Sequence, residues 1–222
     1  MSVRRRRRGV LEKQKYGLYF DGADNYVSTE VNPQTDLQGG DFSFCLWFNT
    51  NVSTRSVIIG DADLSDRFYI RTESATTIRI GLSDASVVLT VTEIINNTWN
   101  HVALTFDYAS GTVYLYLNGI LQDTSTSVNY KNNIRNGSMN MSTASSNTFD
   151  GELDYLCVYN RRLSLSEIQK IYGKGDVKKS GVVKPGLIMG LKCEEGAGTT
   201  TYDFSGNNKN GTLQNGTSWV LL

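Results

Sequence analysis

The stretch Asp41-Phe42-Ser43-Phe44-Cys45-Leu46-Trp47-Phe48-Asn49 carries an apolar side chain at every even position. Successive side chains of a β-strand point to opposite faces, so these four residues share one face, as packing on a hydrophobic core requires. Comparable runs predict further strands in residues 67–72, 76–82, 86–91, 99–106 and 153–159. Between runs 113–117 and 120–124 stands Asn118-Gly119, a dipeptide preferred in type I′ turns, which predicts a tight hairpin.

The composition favours an all-β protein. The chain has 222 residues, of which 39% are hydrophobic, and this is enough to bury one sizeable core. It contains 21 glycines and 12 tyrosines, a usage that fits many short strands joined by tight turns. We therefore expect one main domain.

A single short helix interrupts the strand pattern. Ser164-Leu165-Ser166-Glu167 is a capping box, and Ile168 and Ile171 supply an apolar stripe before Gly173. The sequence therefore predicts a helix over residues 164–172. The following residues, 174–185, are rich in glycine and lysine and are interpreted as a linker.

Charge is balanced overall but not locally. The 22 basic and 22 acidic residues cancel, so no global field draws the chain to nucleic acid or to an anionic membrane. An unbroken basic run is formed by Arg4, Arg5, Arg6, Arg7 and Arg8. Residues 1–15 are predicted to be a basic arm that docks into a partner or binds phosphate; the alternative is a merely solvated terminus.

Neither a secretory signal nor a membrane span is expected. The arginine run is followed by Gly9-Val10-Leu11-Glu12-Lys13, which lacks the apolar core of a signal peptide. No apolar run approaches the roughly 18 residues that cross a bilayer. Cys45, Cys157 and Cys193 are an odd number without paired spacing, which predicts neither a disulfide framework nor a metal cluster.

Residues 17–172 resemble the laminin G-like jelly-roll family, of the concanavalin A-like kind. The matching motifs come in the family's order: LYFDG at 18–22, NYV at 25–27, the strand 42–48, WNHVALTFD at 99–107, FDGELD at 149–154 and YNRRLS at 159–164. The resemblance implies a two-sheet antiparallel jelly-roll sandwich with one short helix, over residues 16–173.

The C-terminal segment is unusual within this resemblance. Residues 187–219 look like the segment that normally opens such a module, yet here they come last. Either the fold is circularly permuted, so that residues 186–222 complete the sandwich in cis, or this segment inserts into a neighbouring subunit. Domain termini often lie close together, and this favours the cis arrangement.

The residues do not predict an enzyme. Glycosidases of this fold carry carboxylates at i, i+2 and i+4 of one strand, because alternate side chains share a face. Glu152 and Asp154 occupy the first two positions, but the third is Leu156. The single histidine, His101, has no second histidine to build a metal pair or a triad, so we expect a packed strand residue.

The resemblance implies a structural calcium ion (Ca²⁺). By motif position the candidate ligands are Asp21, Asp24 and Asp154, with Asp150 behind them. The alternative is that the first two aspartates only form turns.

A ligand-binding surface is predicted from aromatic and basic residues that alternate with core positions. Tyr69 and Arg71 lie on one strand, and Tyr114 and Tyr116 on another. Their side chains should point outward, where aromatic faces stack on sugars or anchor protein partners.

Together these features predict a non-catalytic binding or structural module. The leading hypothesis is a virion-associated protein, such as a phage capsid decoration, head-fibre or tail-fibre protein, because such a protein reaches the outside by lysis. Its expected partners are a cell-surface glycan or protein, other virion proteins, a second copy of the chain and, only through the arginine arm, nucleic acid. The alternative is a carbohydrate-binding module of a secreted bacterial protein, located outside the cell.

The basic arm is expected to be dispensable for folding, because residues 1–8 offer no apolar pattern to bury. Deleting them should leave the melting temperature unchanged and weaken only partner binding. Differential scanning fluorimetry on both proteins checks this, and a large loss of thermal stability would show that the arm belongs to the core.

Overall fold

The computed structural model describes residues 15–37, 39–51, 55–61, 68–82, 85–91, 93–126, 137–144 and 146–222. Residues 1–14 of the predicted arm, including the arginine run, lie outside the described residues.

Within the described chain the secondary structure is mainly β. In order, the elements are β1 (Tyr16–Asp21), β2 (Tyr26–Thr29), α1 (Pro33–Asp36), β3 (Phe42–Asn49), β4 (Ser56–Asp61), β5 (Phe68–Ser74), β6 (Thr77–Leu82), β7 (Ala85–Thr90), β8 (Asn100–Asp107), β9 (Thr112–Leu117), β10 (Ile120–Ser125), β11 (Met139–Ser142), β12 (Asp150–Tyr159), α2 (Leu165–Tyr172), a 3₁₀ helix (Val177–Lys179), β13 (Leu187–Leu191), β14 (Thr200–Thr201), β15 (Gly211–Gln214) and β16 (Ser218–Leu221).

The strands form two antiparallel sheets. The first has the order β10-β9-β8-β3-β12-β1-β16, and β13 also pairs with β12. The second has the order β14-β15-β2-β11-β4-β5-β6-β7. The predicted class, a two-sheet antiparallel sandwich, is confirmed.

The hydrophobic core lies between the two sheets, and β3 shows how the alternating pattern builds it. Its even-numbered apolar residues, such as Phe44 and Leu46, are fully buried in the main core. Cys45 and Trp47 point to the opposite, outer face, yet they are also fully buried, in a second apolar cluster. The first sheet is therefore covered on both faces at this strand.

Helix α2 covers part of that second cluster. The predicted capping box is present, since the Ser164 hydroxyl accepts from the Glu167 amide and the Glu167 carboxylate accepts from the Ser164 amide. Ile168 and Ile171 are fully buried in the cluster. Gly173 ends the helix at a φ of 59°, and a Cβ there would lie 2.6 Å from the Lys179 carbonyl, so glycine is required.

The interpretation of residues 174–185 as a plain linker is corrected. Trp47 Nε1 donates to Ser180 Oγ at 2.8 Å, and the hydroxyl of Tyr155 donates to the Gly181 carbonyl at 3.0 Å. Val177 and Val183 are buried in the second cluster. The segment is a lid packed on the outer face of the first sheet.

Sequence analysis also missed the four-residue helix α1. The Asn32 side chain accepts from the Gln34 amide, and Pro33 occupies the first helical turn. An Asn-Pro pair is a normal helix start, but so short an element leaves no periodic pattern to recognise.

The C-terminal strands join both sheets of the same chain. β13 pairs with β12, β16 pairs with β1, and β15 pairs with β2. The Leu222 amide donates to the Lys15 carbonyl at 2.9 Å, so the end of the tail lies beside the start of the first strand. In this structure the tail completes the sandwich in cis.

Removing residues 186–222 should therefore destabilise the domain severely. The truncation takes away Met189 and Leu191, both fully buried, whose burial contributes about 2 kcal/mol each, and it exposes the edges of β1 and β2. We expect an insoluble protein or a melting temperature lower by at least about 10 °C. Thermal melts and light scattering check this, and a soluble truncation that melts like the full chain contradicts it.

Candidate functional site

A polar cleft opens at one end of the first sheet, where three neighbouring strands place side chains in a row. In the strand register Tyr19 of β1 stands opposite Glu152 of β12, and Glu152 stands opposite Asn49 of β3. Three residues that are far apart in sequence thus become neighbours on one face.

The row points away from the core because its strand neighbours point into it. Leu18, Leu153 and Phe48 are fully buried between the sheets, so the alternate residues project from the outer face. Tyr19 is 41% exposed. It is therefore available to a ligand.

Hydrogen bonds fix the polar wall of the cleft. Asn49 Nδ2 donates to Glu152 Oε2 at 3.0 Å, which holds the carboxylate across the two strands. Asn49 Oδ1 is buried and has no hydrogen-bond partner among the residues that the structure describes. Asp150 lies two residues before Glu152, and Thr50 Oγ1 donates to its carbonyl at 2.8 Å.

Gly151 allows the strands to approach so closely here. It has a φ of 139°, and a Cβ at this position would collide with the carbonyl oxygen of Asn49. The FDGELD motif therefore needs glycine between Asp150 and Glu152 for a steric reason.

The opposite wall is a turn that carries Asn97. Its amide donates to the Thr50 carbonyl at 2.9 Å, and the Asn100 side chain braces the turn by donating to the carbonyls of Ile95 and Thr98. The cleft between the walls is open to solvent and has a volume of about 150 Å³.

The lining suits a hydroxyl-rich ligand. It combines an exposed tyrosine ring, three asparagine amides (Asn49, Asn51 and Asn97) and the carboxylates of Asp150 and Glu152. Carboxylates accept from hydroxyl groups, amides both accept and donate, and an aromatic face packs on the apolar face of a sugar ring. None of the described lining residues is a lysine, an arginine or a histidine.

The structure corrects the expectation of an exposed Tyr69 and Arg71. Both side chains leave the core, but Tyr69 is only 6% and Arg71 only 9% exposed. The Arg71 guanidinium carbon lies 4.7 Å from the Tyr69 ring centroid, and Arg71 pairs with Glu73 at 2.6 Å. The tyrosine packs over Gly81, so these residues serve the packing of the second sheet.

Tyr114 and Tyr116 differ from the expectation for the same reason. Tyr116 is 5% exposed and belongs to the cluster that α2 covers. Tyr114 is partly buried against that cluster, and the guanidinium carbon of Arg162 lies 4.2 Å from its ring centroid. No open tyrosine platform exists on β9.

The predicted calcium ligands do not come together. Asp21 stands opposite Asp150 in the register, and Asp154 lies four residues further along β12, about 13 Å away. The Asp21 carboxylate accepts from the Ala23 amide at 2.9 Å, and the Asp24 carbonyl accepts from Asn215 Nδ2, as the turn alternative requires.

No metal cluster forms elsewhere in the described chain either. Among its histidine, cysteine, aspartate and glutamate side chains, no group of three is placed to hold an ion. The predicted ligand set is therefore wrong, and calcium binding itself stays a prediction.

His101 is a packed strand residue, as expected. Its ring lies 5.2 Å from that of Trp47 and 5.8 Å from that of Tyr172, and the residue is fully buried. Burial lowers the pKa of His101 to about 3, so the imidazole is neutral at physiological pH.

Sequence analysis missed the residues that form the cleft. The sequence pattern assigns Glu152 and Asp150 to other chemistry and gives Tyr19, Asn49 and Asn97 no role in binding. The FDGELD motif was the available signal, since its central glycine marks a close approach of another strand.

Residues 21–169 match a family model described as the concanavalin A-like lectin/glucanases superfamily. The chain belongs to this superfamily. The fold and the order of the motifs agree with that membership, so the resemblance noted in the sequence is confirmed. A search of curated protein sequences finds no match.

Solved structures share the concanavalin A-like fold at low identity. A protein of Bacteroides ovatus described as carbohydrate binding has a TM-score of 0.68 at 16% identity, over 95% of this chain and 60% of that chain. The heptameric SAP-like pentraxin of Limulus polyphemus has a TM-score of 0.59 at 16% identity, over 78% and 89%. The sialidase module CBM40 of Ruminococcus gnavus, bound to α2,3 sialyllactose, has a TM-score of 0.55 at 15% identity, over 72% and 98%.

The chain thus spans 60% of the length of the Bacteroides protein. Within the described residues, no helix has the length and apolar character needed to cross a bilayer.

Asp154 yields a prediction about pH. It is 4% exposed, and burial, reinforced by nearby Glu194 and Glu195, raises the pKa of its carboxyl well above the usual range. The folded state therefore holds this proton more tightly than the unfolded state. Its contribution to stability is greatest below the unfolded pKa of about 4 and falls as the pH rises toward the folded pKa.

Asp154→Asn should accordingly stabilise the protein at pH 7, because the side-chain oxygen of asparagine still accepts from the Tyr155 amide and no charge is buried. The gain should shrink toward pH 4. Thermal melts from pH 4 to pH 8 check this, and a variant that is less stable than the parent at every pH contradicts it.

Proposed function

We propose that this chain is a carbohydrate-binding module that holds a glycan in the cleft of Tyr19, Asn49 and Glu152. The observation that carries the proposal is the row itself: an exposed aromatic ring beside a carboxylate and an amide, on three paired strands. Rigid strands place these groups better than loops would, and a sugar needs both a stacking face and hydroxyl partners.

The comparisons support the same class of ligand. The Bacteroides protein is described as carbohydrate binding, and the Ruminococcus module is bound to a sialylated sugar. Both share the fold with this chain.

The proposed module is non-catalytic. Leu156, at the position where a glycosidase of this fold would carry its third carboxylate, is fully buried in the core. Asp154, at the second position, does not line the cleft. The three carboxylates at i, i+2 and i+4 are therefore not assembled around the proposed ligand, and the two that line it, Asp150 and Glu152, are proposed to accept from its hydroxyl groups.

The finer proposal places the module on a virion, with a secreted bacterial protein as the alternative. The arginine run at positions 4 to 8 supports an anchored structural protein, since a basic arm can dock into an acidic partner. A gene neighbourhood of virion structural genes supports this location, and a neighbourhood of polysaccharide-degrading enzymes supports the alternative.

Tyr19→Ala tests the proposed site. The protein is first screened on a glycan array, and the strongest ligand is then titrated by calorimetry. Loss of the ring should weaken binding at least about tenfold, because stacking contributes roughly 1 kcal/mol beyond the buried area. The melting temperature should change little, since Tyr19 is 41% exposed.

Tyr108→Ala is the matched control, because Tyr108 is 42% exposed but lies outside the cleft. It should bind like the parent. Equal losses in both variants, or full binding by Tyr19→Ala, place the ligand elsewhere. If no glycan on the array binds the protein, the proposed function is wrong.

A further inference from the structure

Two of the three cysteines lie directly opposite each other on neighbouring strands. Cys157 of β12 is the register partner of Cys45 of β3. Opposed residues of an antiparallel pair have their Cα atoms about 4.5 or 5.5 Å apart. Both spacings lie within the roughly 4.4 to 6.8 Å that a disulfide accepts.

The two thiols also share one face of the sheet. Both cysteines belong to the second apolar cluster, whereas their strand neighbours, such as Phe44 and Val158, belong to the main core. Cross-strand Cβ atoms are about 4.5 to 5.5 Å apart, so a bond needs an approach of at most about 1 Å.

A β-bulge produces this alignment. The register shifts between Asp154 and Cys157, because β12 has one residue more than β3 over the same distance. Tyr155 takes up the extra residue with a φ of 52°. Without the bulge, Cys157 would turn to the face opposite Cys45, since a shift by one residue inverts every side chain.

The lid then seals the pair. The lid, residues 174–185, and helix α2 cover the second apolar cluster. Beneath them Cys45 is 0% exposed and Cys157 is 1% exposed. Burial raises the pKa of the Cys157 thiol to about 12, and burial and then the neighbouring Cys157 raise that of Cys45. Because the thiolate is the reactive form, thiol exchange is suppressed once the lid is docked.

We propose that Cys45 and Cys157 form a disulfide site whose state is decided while the chain folds. In an oxidising compartment the thiolate of one cysteine attacks a donor disulfide, such as oxidised glutathione, and releases one thiol. The other cysteine attacks the mixed disulfide and releases the second thiol. The pair loses two protons and two electrons, and the donor disulfide is reduced to two thiols.

In a reducing compartment the same chain folds with both thiols, and the lid preserves that state. Cys193 has no part in either outcome, because it lies in the main core between the sheets, whereas the pair lies in the second cluster on the outer face of the first sheet. It therefore serves as an internal control.

The test refolds the full-length protein from denaturant, either with dithiothreitol or with a mixture of reduced and oxidised glutathione. After renewed denaturation the free thiols are alkylated and the peptides are mapped by mass spectrometry. Glutathione refolding should give a peptide cross-linked between Cys45 and Cys157, with Cys193 alkylated. Dithiothreitol refolding should give three alkylated cysteines.

Three alkylated cysteines after both refoldings, or cross-links that involve Cys193 or a second chain, would overturn the proposal. The bond closes a loop of about 110 residues, so the oxidised form should melt about 10 °C above the reduced form. A cross-linked form that melts lower would show that the native strands do not accept the bond.

Two variants separate the bond from general effects of the redox buffer. Cys193→Ala should keep the cross-link, and Cys45→Ala should lose it together with the difference in melting temperature. Finally, reduced folded protein placed in the glutathione mixture should remain reduced for far longer than refolding takes. If the disulfide formed in the folded protein as fast as it forms during refolding, the claim that folding decides the redox state of the pair would be wrong.

Discussion

The pairing of β12 along both of its edges is the constraint on which the rest of the structure depends. One edge pairs with β3 over nearly its whole length. The other edge is divided, since residues 150–153 pair with β1 and residues 156–159 pair with β13. The first strand of the chain and a strand of the C-terminal tail therefore share one partner, and neither can leave without exposing an edge of the central strand.

A single bulged residue, Tyr155, allows one part of β12 to line the open cleft and the next part to lie beneath the lid. A left-handed backbone at a bulky residue such as Tyr155 costs on the order of 1 kcal/mol or more. Two hydrogen bonds offset this, because the Tyr155 amide donates to Asp154 Oδ1 and its hydroxyl donates to the Gly181 carbonyl. Before the bulge Glu152 lines the open cleft, and after it Cys157 lies beneath the lid.

The sequence was informative wherever a signal was local. Period-two alternation located β3 and β8, Asn118-Gly119 located the hairpin, and the capping box located α2, because each depends on residues a few positions apart. The cleft depends on register instead: Tyr19, Asn49 and Glu152 meet only after strands far apart in the chain have paired. No spacing within the sequence encodes that meeting.

The predictions of exposed tyrosines and of a linker at residues 174–185 are wrong for one physical reason: other parts of the chain pack on the outer faces of the sheets. The alternating pattern correctly predicts that Tyr116 and Tyr69 point away from the core. It does not predict that α2 and the lid bury Tyr116, or that Arg71 covers Tyr69. For the same reason residues 174–185 looked like a linker, since their few apolar side chains are informative only once the surface they pack on is known.

The lid also explains why the ligand site falls at one end of the first sheet. α2 and residues 174–185 cover the outer face over the later part of β12, so the open surface of that strand is confined to Asp150, Gly151 and Glu152. Beside it, Ser218 of β16 stands opposite Tyr19 in the register. The tail thus supports the strand that presents the tyrosine, so the cleft depends on the strand with which the tail closes the sandwich.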